Sequence, residues 1–463
     1  MQETKGDRFE MNEGWEEMYT GRRILVLGLA RSGIAALRLL RACGSAPIGA
    51  DENAAITLPA DLDGVPVHLG RFDPGLLDGC DEVVLSPGVA LRHPFLVEAQ
   101  ERGISVISEL ELGYRFTRAG IIAVTGTNGK STTVSMAGAI LEAAGYRAIV
   151  AGNVGLPLTS VAGELDEEGY FVLEVSSFQL EAISSFHPRV AVLLNMTPDH
   201  LDRYESVRDY YDAKVRIVRN CTADDLFVYN AADPRCAAVA ETFPGRSVPF
   251  SSRAPVEEGA YLDGDQLVRR SGGSVEVVVA RDELGVVGLH NIENALAAVA
   301  AVRCVDVPAE SCRAALSGFR GLPHRMEPVE TIDGITYYND SKATNVEATV
   351  MSLKGLKRPV VLIAGGYDKG GDFTKLLSVI DRIKAVVTIG EAGSLIEEAV
   401  ASRVPVARAA SMQEAVEIAG RTAEHGQLVI LSPACASFDM FENYEHRGDV
   451  FKTCVKGLVK SSR

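Results

Sequence analysis

The sequence has no long apolar run, no closely spaced cysteine pair and no excess of basic residues. No stretch reaches the roughly 18 apolar residues of a membrane-spanning helix, so we expect no membrane partner. The eight cysteines among 463 residues include no Cys-x-x-Cys pair, which favours reduced thiols and a cytoplasmic location. The 46 basic and 62 acidic residues give a net charge of −16, which disfavours nucleic acid but not small anionic substrates.

A glycine-rich turn follows the apolar strand at residues 121–124 and leads into a helical stretch. Glycines let backbone N–H groups close around an anion, and a helix N-terminus adds its positive end. The eight-residue P-loop pattern is not met, since only two residues separate the glycines, but a lysine and a serine follow in the usual order. We therefore predict a nucleotide phosphate site at Gly126, Thr127, Asn128, Gly129, Lys130, Ser131 and Thr132.

Strand-like runs alternate with helical patterns along nearly the whole chain, which predicts α/β domains with parallel sheets. Three blocks each open with a strand and a glycine-containing turn. They predict a Rossmann-like domain at 21–110, a central P-loop ATPase-like domain with a mostly parallel sheet at 111–321, and a Rossmann-like C-terminal domain at 322–463. Residues 1–20 are polar and acidic, and we expect a flexible leader there. Residues 250–288 predict a small antiparallel excursion.

The first block opens with a turn that only partly fits a dinucleotide fingerprint. Ala30 stands where a glycine would let a pyrophosphate approach the backbone, although Asp51 follows at about the expected distance. A nicotinamide cofactor is therefore disfavoured against a Rossmann-like site for another nucleotide. Simple packing of the first strand–helix turn by small residues is the third alternative.

Polar side chains end the neighbouring strand candidates of the second block. Glu174 ends one strand, and another leads through Asn195 to His200. Because ligands bind at the carboxyl ends of parallel strands, these side chains are expected beside Ser131, where a carboxylate suits Mg²⁺. Taken singly, Glu174 and His200 would be ordinary surface or loop residues.

Lys214 lies near the middle of an apolar stripe on a predicted helix at 205–220. Val207, Tyr211, Val215 and Val218 form this stripe at helical spacing. Burial lowers the pKa of an amine and leaves it neutral and nucleophilic. One alternative is a lysine that reaches out to water; the other is an amine modified to an anion, such as a carbamate, that binds metal.

The third block carries three polar loops, each after a predicted strand. They are residues 339–345, 365–372 and 431–439. Any one of them could be ordinary turn chemistry, but three loops at the same edge of a parallel sheet indicate a binding surface.

At this point the chain resembles the Mur ligases, over all three blocks and in family order. The matching stretches are GTNGKST (126–132), GNVGLP (152–157), LEVSSFQLE (173–181), NMTPDHLDRY (195–204), GLHNIENALAA (288–298), GLPHRME (321–327), YYNDSKATN (337–345), AGGYDKGGDF (364–373) and LSPACASFDMFENYEHRG (431–448). The phosphate loop alone would also fit folylpolyglutamate synthases, but the first block and the third-block loops separate the chain from them.

The resemblance implies an ATP-dependent amide ligation through an acyl phosphate, with D-glutamate joined to UDP-N-acetylmuramoyl-L-alanine. It implies Mg²⁺ held by Ser131, Glu174, His200 and carbamylated Lys214, with Lys130, His200 and Lys214 as catalytic residues. Further ATP contacts are implied at Asn294, Arg325 and Asp340. The UDP-sugar site is implied at Arg31, Ser32, Asp51, Ser86 and Asn153, and the D-glutamate site at Thr344, Lys369, Ser437, Phe438 and Tyr444.

Three rival functions stay open at this point. A Mur ligase could add another amino acid, and a P-loop ATPase or switch could bind nucleotide without ligation. A nicotinamide dehydrogenase is disfavoured by Ala30 and by the lack of an evident hydride site. We expect a monomer whose partners are small molecules only.

Overall fold

The computed structural model describes residues 17–153, 155–200, 203–286, 288–305, 307–354 and 356–461. The chain divides into two compact units. The first comprises the residues up to 282 together with 293–317, and the second comprises 283–292 together with the residues from 318 onward. The first unit holds two sheets and the second unit holds one.

The first sheet has five parallel strands in the order β3-β2-β1-β4-β5. Its strands are β1 Arg23–Leu27, β2 Ala46–Asp51, β3 Val67–Leu69, β4 Glu82–Leu85 and β5 Ser105–Ser108. Its helices are α1 Arg31–Ala42, α2 Pro94–Glu101 and α3 Glu109–Arg115. The strand order reverses beside β1, so the crevice at its carboxyl end is the expected ligand position.

The central sheet has nine strands in the order β14-β13-β12-β11-β10-β9-β6-β8-β7. The strands are β6 Gly120–Thr125, β7 Ala148–Gly152, β8 Tyr170–Glu174, β9 Val190–Leu193, β10 Leu226–Asn230, β11 Arg246–Ser251, β12 Gly259–Asp263, β13 Gln266–Ser271 and β14 Ser274–Ala280. The helices that follow its strands are α4 Lys130–Ala143, α5 Ser177–Glu181, α6 Val207–Val215, α7 Pro234–Thr242, α8 Leu289–Ala301 and α9 Ala309–Gly318. The pairs β12–β13 and β13–β14 are antiparallel, which confirms the predicted antiparallel excursion.

Strand β6 lies in the middle of the parallel part of this sheet, between β8 and β9. Its side chains Ile121, Ile122 and Val124 are at most 3% exposed. Side chains of both faces are buried, which explains why the strand is a continuous apolar run. Complete burial of such a side chain contributes about 1.5–3 kcal/mol. The strand is therefore a rigid base for the loop that follows it.

Helix α3 joins the first sheet to the central one. The buried carboxylate of Glu111 accepts hydrogen bonds from the backbone N–H groups of Ser184, Ser185 and Phe186 at 2.8–3.1 Å. Glu109 accepts from the backbone and hydroxyl of Thr159 at 2.8 and 2.7 Å. The predicted domain boundary after residue 110 thus falls inside α3, a helix that is anchored by the carboxylates of Glu109 and Glu111.

The predicted leader, residues 1–20, is only partly within the described residues. Residues 1–16 lie outside them. Tyr19 has no exposed surface, donates to Glu82 at 2.8 Å and accepts from Arg115 at 2.6 Å. The Tyr19 ring also packs 5.3 Å from that of Phe116. The end of the predicted leader therefore belongs to the core beneath the first sheet.

The second unit contains a six-stranded sheet in the order β15-β16-β20-β17-β18-β19. Its strands are β15 Glu327–Ile332, β16 Ile335–Asn339, β17 Val360–Gly365, β18 Ile383–Ile389, β19 Val406–Arg408 and β20 Leu428–Leu431. Its helices are α10 Val346–Lys354, α11 Gly393–Val400, α12 Met412–Thr422 and α13 Tyr444–Ser461. Only the β15–β16 pair is antiparallel, so three polar loops leave one edge of the sheet at the ends of β16, β17 and β20.

Candidate active site

The glycine-rich turn between β6 and α4 has the backbone geometry of an anion cradle. Gly126 and Gly129 have φ values of +152° and +92°, and Gly129 caps the N-terminus of α4. A Cβ atom on Gly129 would lie 2.3 Å from the side-chain oxygen of Asn294. The glycine is therefore required by both conformation and space, and Asn294 lies against the predicted phosphate loop.

Lys130 folds back over this loop. Its ammonium donates to the carbonyl oxygens of Gly126 and Thr127 at 2.9 and 3.0 Å. These contacts hold a positive charge at the N-terminus of α4, where an anionic ligand is already favoured. The arrangement is one that can neutralise the phosphates of a nucleotide.

Asn195 shapes the same loop and was not among the predicted site residues. Its side-chain oxygen accepts from the backbone N–H groups of Thr127 and Asn128 at 3.1 and 2.9 Å. Its amide nitrogen donates to the Asn128 carbonyl at 3.0 Å. The signal available in the sequence was its place two residues after β9, the strand that pairs with β6.

Glu174 provides the strongest structural indication of a cation. The residue ends β8, is 3% exposed, and accepts through Oε1 from Asn153 at 3.2 Å. Its Oε2 atom is buried without a hydrogen-bond partner. An unpaired buried carboxylate oxygen is costly, and a hard cation would satisfy it. Ser131, buried in the first turn of α4, has the hydroxyl expected beside such a cation, so the residues fit Mg²⁺.

Lys214 is buried, as its sequence position predicts. Its side chain is 1% exposed, its ammonium donates to the Gly126 carbonyl at 2.9 Å, and it lies 4.5 Å from the centre of the Tyr210 ring. Burial, with the nearby charge of Lys130, lowers the pKa of Lys214 well below its usual value. The hydrogen bond to Gly126 brings Lys214 to the phosphate loop.

The helical stripe used to predict this burial was inaccurate. The helix itself is shorter than 205–220 and ends at Val215, followed by a short 3₁₀ turn. The inward face of this segment is formed by Tyr210, Ala213, Lys214 and Ile217, whereas the predicted apolar stripe is only half-buried. The reason is that the phosphate loop, with its polar backbone, covers one side of the helix.

His200 lies at the mouth of this site in a left-handed backbone conformation with φ of +54°. Its ring packs 4.9 Å from Phe178 and 6.0 Å from Tyr210, and its Nε2 atom is 3.8 Å from a carboxylate oxygen of Asp199. Within the described ranges, no three His, Cys, Asp or Glu side chains come together as a metal site. The predicted metal ligands Ser131, Glu174, His200 and Lys214 include only two residues of these types. The observation that bears on them is the unpaired, buried Oε2 atom of Glu174.

All five residues predicted to bind a UDP-sugar line one cavity of about 630 Å³ at the carboxyl edge of the first sheet. They are Arg31, Ser32, Asp51, Ser86 and Asn153. The cavity is also lined by Ala30, the N-cap residue of α1. The carboxylate of Asp51 accepts from the backbone N–H of Leu29 at 2.6 Å, so it fixes the turn.

In the second unit, Arg325 occupies a strained turn. Its neighbours His324 and Met326 both have positive φ values, +62° and +42°, and strain of this kind is concentrated at functional sites. The backbone N–H of Met326 donates to Asp340 at 3.2 Å, and Ser432 donates to the same carboxylate at 2.7 Å. Burial raises the pKa of Asp340 to about 6. The charge of Arg325 acts on the same carboxyl group and partly offsets this rise of its pKa, so the two predicted ATP contacts of this unit interact.

The loops predicted to bind D-glutamate are tied together. Tyr367 and Ala436 exchange two backbone hydrogen bonds at 3.0 and 3.1 Å, which brings the loop of Lys369 beside that of Ser437. Of the predicted residues, Ser437 is buried, Thr344 and Tyr444 are half-buried, and Lys369 and Phe438 are exposed.

Arg447 organises these loops and was missed in the sequence. It is completely buried, and its guanidinium donates to the carbonyls of Cys435 and Ala436 at 3.1 and 3.0 Å. The same group donates to the hydroxyl and carbonyl oxygens of Ser341 at 3.0 and 2.9 Å. A single side chain thus fixes two of the three polar loops. In the sequence, Arg447 is marked only as an arginine in the segment that forms α13.

None of the helices in the described ranges combines the length and the apolar character needed to cross a bilayer.

Family models of the Mur ligases match most of the chain. The MurD-like N-terminal domain matches residues 22–108, the Mur ligase middle domain 124–302, and the glutamate ligase domain 324–435. Two curated relatives are named UDP-N-acetylmuramoylalanine--D-glutamate ligase. The one from Pelotomaculum thermopropionicum is 42% identical and covers 96% of this chain and 99% of its own. The one from Geotalea daltonii is 42% identical, with 95% and 98% covered.

Solved structures share the fold at low sequence identity. The UDP-N-acetylmuramate-alanine ligase of Thermotoga maritima is 19% identical, with a TM-score of 0.60 over 95% of this chain and 100% of that one. A pseudomurein peptide ligase from Methanothermus fervidus is 17% identical, with a TM-score of 0.61 and the same coverage. The predicted three-domain α/β class is therefore confirmed.

Proposed function

The chain belongs to the Mur ligase family, and from this membership we propose that it joins D-glutamate to UDP-N-acetylmuramoyl-L-alanine with the use of ATP. It is an ATP-dependent ligase of peptidoglycan precursor synthesis. One structural observation carries the proposal. Asn153 lines the nucleotide-sugar cavity and also donates to Glu174 beside the phosphate loop, so the proposed sites for the acyl substrate and for ATP share a side chain.

The reaction needs two transfers in sequence. An oxygen of the alanine carboxylate attacks the γ-phosphorus of ATP, and the bond to ADP breaks, which leaves an acyl phosphate. The amine of D-glutamate then attacks the acyl carbon, phosphate departs, and the nitrogen loses a proton. Lys130 lies where charge develops in the first transfer, so its ammonium would stabilise that transition state electrostatically.

Ser131 and Glu174 are proposed to hold one Mg²⁺, and His200 with carbamylated Lys214 a second one. The metal would supply charge neutralisation for the phosphates and the carboxylate. The unpaired Oε2 of Glu174 supports the first position. Carbamylation requires a neutral amine that forms an N–C bond to CO₂ and releases a proton. The burial of Lys214 and its lowered pKa favour that amine, and a cation would offset the resulting buried negative charge.

The remaining substrate contacts are proposed by residue. ATP would be contacted by the phosphate loop together with Asn294, Arg325 and Asp340. The UDP-sugar would occupy the cavity lined by Arg31, Ser32, Asp51, Ser86 and Asn153. D-Glutamate would be bound by Thr344, Lys369, Ser437, Phe438 and Tyr444, with Lys369 and the Ser437 hydroxyl available for charge-assisted hydrogen bonds to its carboxylates. We also propose that the enzyme acts as a monomer in the cytoplasm.

A panel of amino acids tests the proposed substrate. Phosphate release is measured with ATP, Mg²⁺ and UDP-N-acetylmuramoyl-L-alanine, with D-glutamate, L-alanine or diaminopimelate added in turn. We expect release that depends on D-glutamate and a product of matching mass. Equal release without any amino acid would favour a nucleotide-dependent switch, and a preference for another amino acid would place the chain in a different branch of the family.

A further inference from the structure

Arg203 connects the nucleotide-sugar cavity to the loop that carries His200. Its two terminal nitrogens donate to the backbone carbonyls of Pro87 and Val89 at 2.8 and 2.9 Å. Pro87 and Val89 both line the cavity of about 630 Å³. Since the contacts are made with backbone atoms, the arginine fixes the position of the cavity lip whatever side chains it carries.

One face of the same guanidinium rests on an aromatic ring. The central carbon of the Arg203 guanidinium lies 3.7 Å from the centre of the Phe178 ring, a distance at which a cation is attracted to the ring face. Phe178 in turn packs edge-on against His200 at 4.9 Å. A movement of the cavity lip therefore has a direct physical route to one proposed metal ligand.

The aromatic contacts continue to the other proposed metal ligand. Tyr204 stacks on Phe178 at 5.8 Å and packs against Tyr210 at 5.3 Å, and Tyr210 lies 4.5 Å from the ammonium of Lys214. The tyrosines are 8% and 1% exposed, so they have little freedom to move independently. The cluster formed by Arg203, Phe178, Tyr204 and Tyr210, here the aromatic relay, spans the space between the cavity lip and the phosphate loop.

We propose that Arg203 is a positioning residue that couples occupancy of the nucleotide-sugar cavity to the binding of metal and nucleotide at the phosphate loop. The proposal rests on the proposed function for the identity of the two ligands. A ligand that restrains Pro87 and Val89 also restrains the aromatic relay. The protein then loses less conformational entropy when a second ligand binds at the phosphate loop. By linkage, each ligand must tighten the other by the same factor.

Lysine cannot replace arginine in this position. An ammonium is a compact point charge, whereas the planar guanidinium makes two parallel hydrogen bonds and stacks on a ring at the same time. Arg203→Lys therefore retains the charge and removes the geometry. Phe178→Leu retains an apolar side chain and interrupts the aromatic relay at its second member. Arg208→Lys is the matched control, because Arg208 is 88% exposed and pairs only loosely with Asp212, at 3.6 Å.

The test is calorimetric and involves no turnover. The dissociation constant of UDP-N-acetylmuramoyl-L-alanine is measured alone and with Mg²⁺ and a non-hydrolysable ATP analogue, for the full-length wild type and the three variants. We expect the analogue to tighten binding at least about fivefold in the wild type and in Arg208→Lys, which is the lower end of typical coupling. In Arg203→Lys and Phe178→Leu the factor by which the analogue tightens UDP-sugar binding should fall close to one, while the melting temperature stays near its wild-type value.

If Arg203 had a purely structural role, Arg203→Lys would weaken the binding of every ligand and lower the melting temperature. The factor by which the ATP analogue tightens UDP-sugar binding would not change, and that result would overturn the proposal. A tightening factor of one in the wild type would overturn the proposal as well. So would a factor in Phe178→Leu as large as that of the wild type. Failure of the proposed function is recognised separately, because it appears in the wild-type amino-acid panel as phosphate release without dependence on D-glutamate.

Discussion

Replacement of Lys130 by alanine is expected to slow ligation by at least about two orders of magnitude, since loss of one preorganised charged or donating group at developing charge typically costs about 3 kcal/mol or more. Lys130 contacts the carbonyls of Gly126 and Thr127 inside the phosphate loop, so its removal takes a positive charge out of the loop itself. The measurement is the steady-state rate of D-glutamate-dependent phosphate release, together with the melting temperature.

Lys384→Ala is a suitable control for this variant. Lys384 is a half-exposed lysine that pairs with Glu424 at 3.3 Å in the second unit, and its removal should leave the rate close to that of the wild type. Near-normal ligation by Lys130→Ala, with the melting temperature unchanged, would defeat the assignment of residues 126–132 as the phosphate site.

Replacement of Lys214 by alanine should cause a loss of similar size, on the order of 100-fold, because the proposed carbamate would be an anionic metal ligand rather than a surface charge. The fold should persist, since the vacated space lies beside Tyr210, whose hydroxyl donates to Thr127, and beside the Gly126 carbonyl, which also accepts from Lys130. Acetate or formate supplied in solution should restore part of the activity by placing a carboxylate where the carbamate stood.

Acetamide is the control for that rescue, because it has nearly the shape of acetate without the charge. Rescue by acetate alone would support an anion at this position. Full activity in Lys214→Ala would show that the lysine is dispensable, and equal rescue by acetate and acetamide would show that it acts through its volume or its hydrogen bond to Gly126. In that case the proposed carbamate would have to be abandoned.

Much of the site follows from a local rule applied to the sequence. Strands that are apolar throughout and separated by helices must lie parallel in a covered sheet, and their carboxyl ends then meet at one edge. Ser86 was predicted as a cavity residue from the resemblance and not from this rule, whereas the rule alone was enough to bring Glu174 and the phosphate loop together. It needed no knowledge of side-chain packing.

The contacts that the sequence did not reveal are those between segments far apart in the chain. Asn195 satisfies backbone groups nearly seventy residues earlier, and Arg447 does the same for a loop more than a hundred residues earlier. A polar residue on a helix or after a strand carries no local mark of such a partner. Tyr19 was assigned to a flexible leader for the same reason, because its partners Glu82 and Arg115 are distant in sequence.

The inward face of α6 shows a second limit of sequence reasoning. A period of 3.6 residues identifies an apolar stripe, but the surface that covers this helix is the polar backbone of the phosphate loop. The buried amine of Lys214 therefore finds a hydrogen-bond acceptor on this side, in the Gly126 carbonyl. The burial of Lys214 was predicted, whereas the face on which it lies was not.

The most direct test of the central claim follows oxygen atoms through the reaction. UDP-N-acetylmuramoyl-L-alanine labelled with ¹⁸O at both carboxylate oxygens is incubated with the enzyme, ATP, Mg²⁺ and D-glutamate, and the masses of the phosphate and of the amide product are measured. An acyl-phosphate ligation predicts one labelled oxygen in each phosphate released and one retained in the new amide. Formation of the product together with unlabelled phosphate would contradict activation of the carboxylate by ATP at this site.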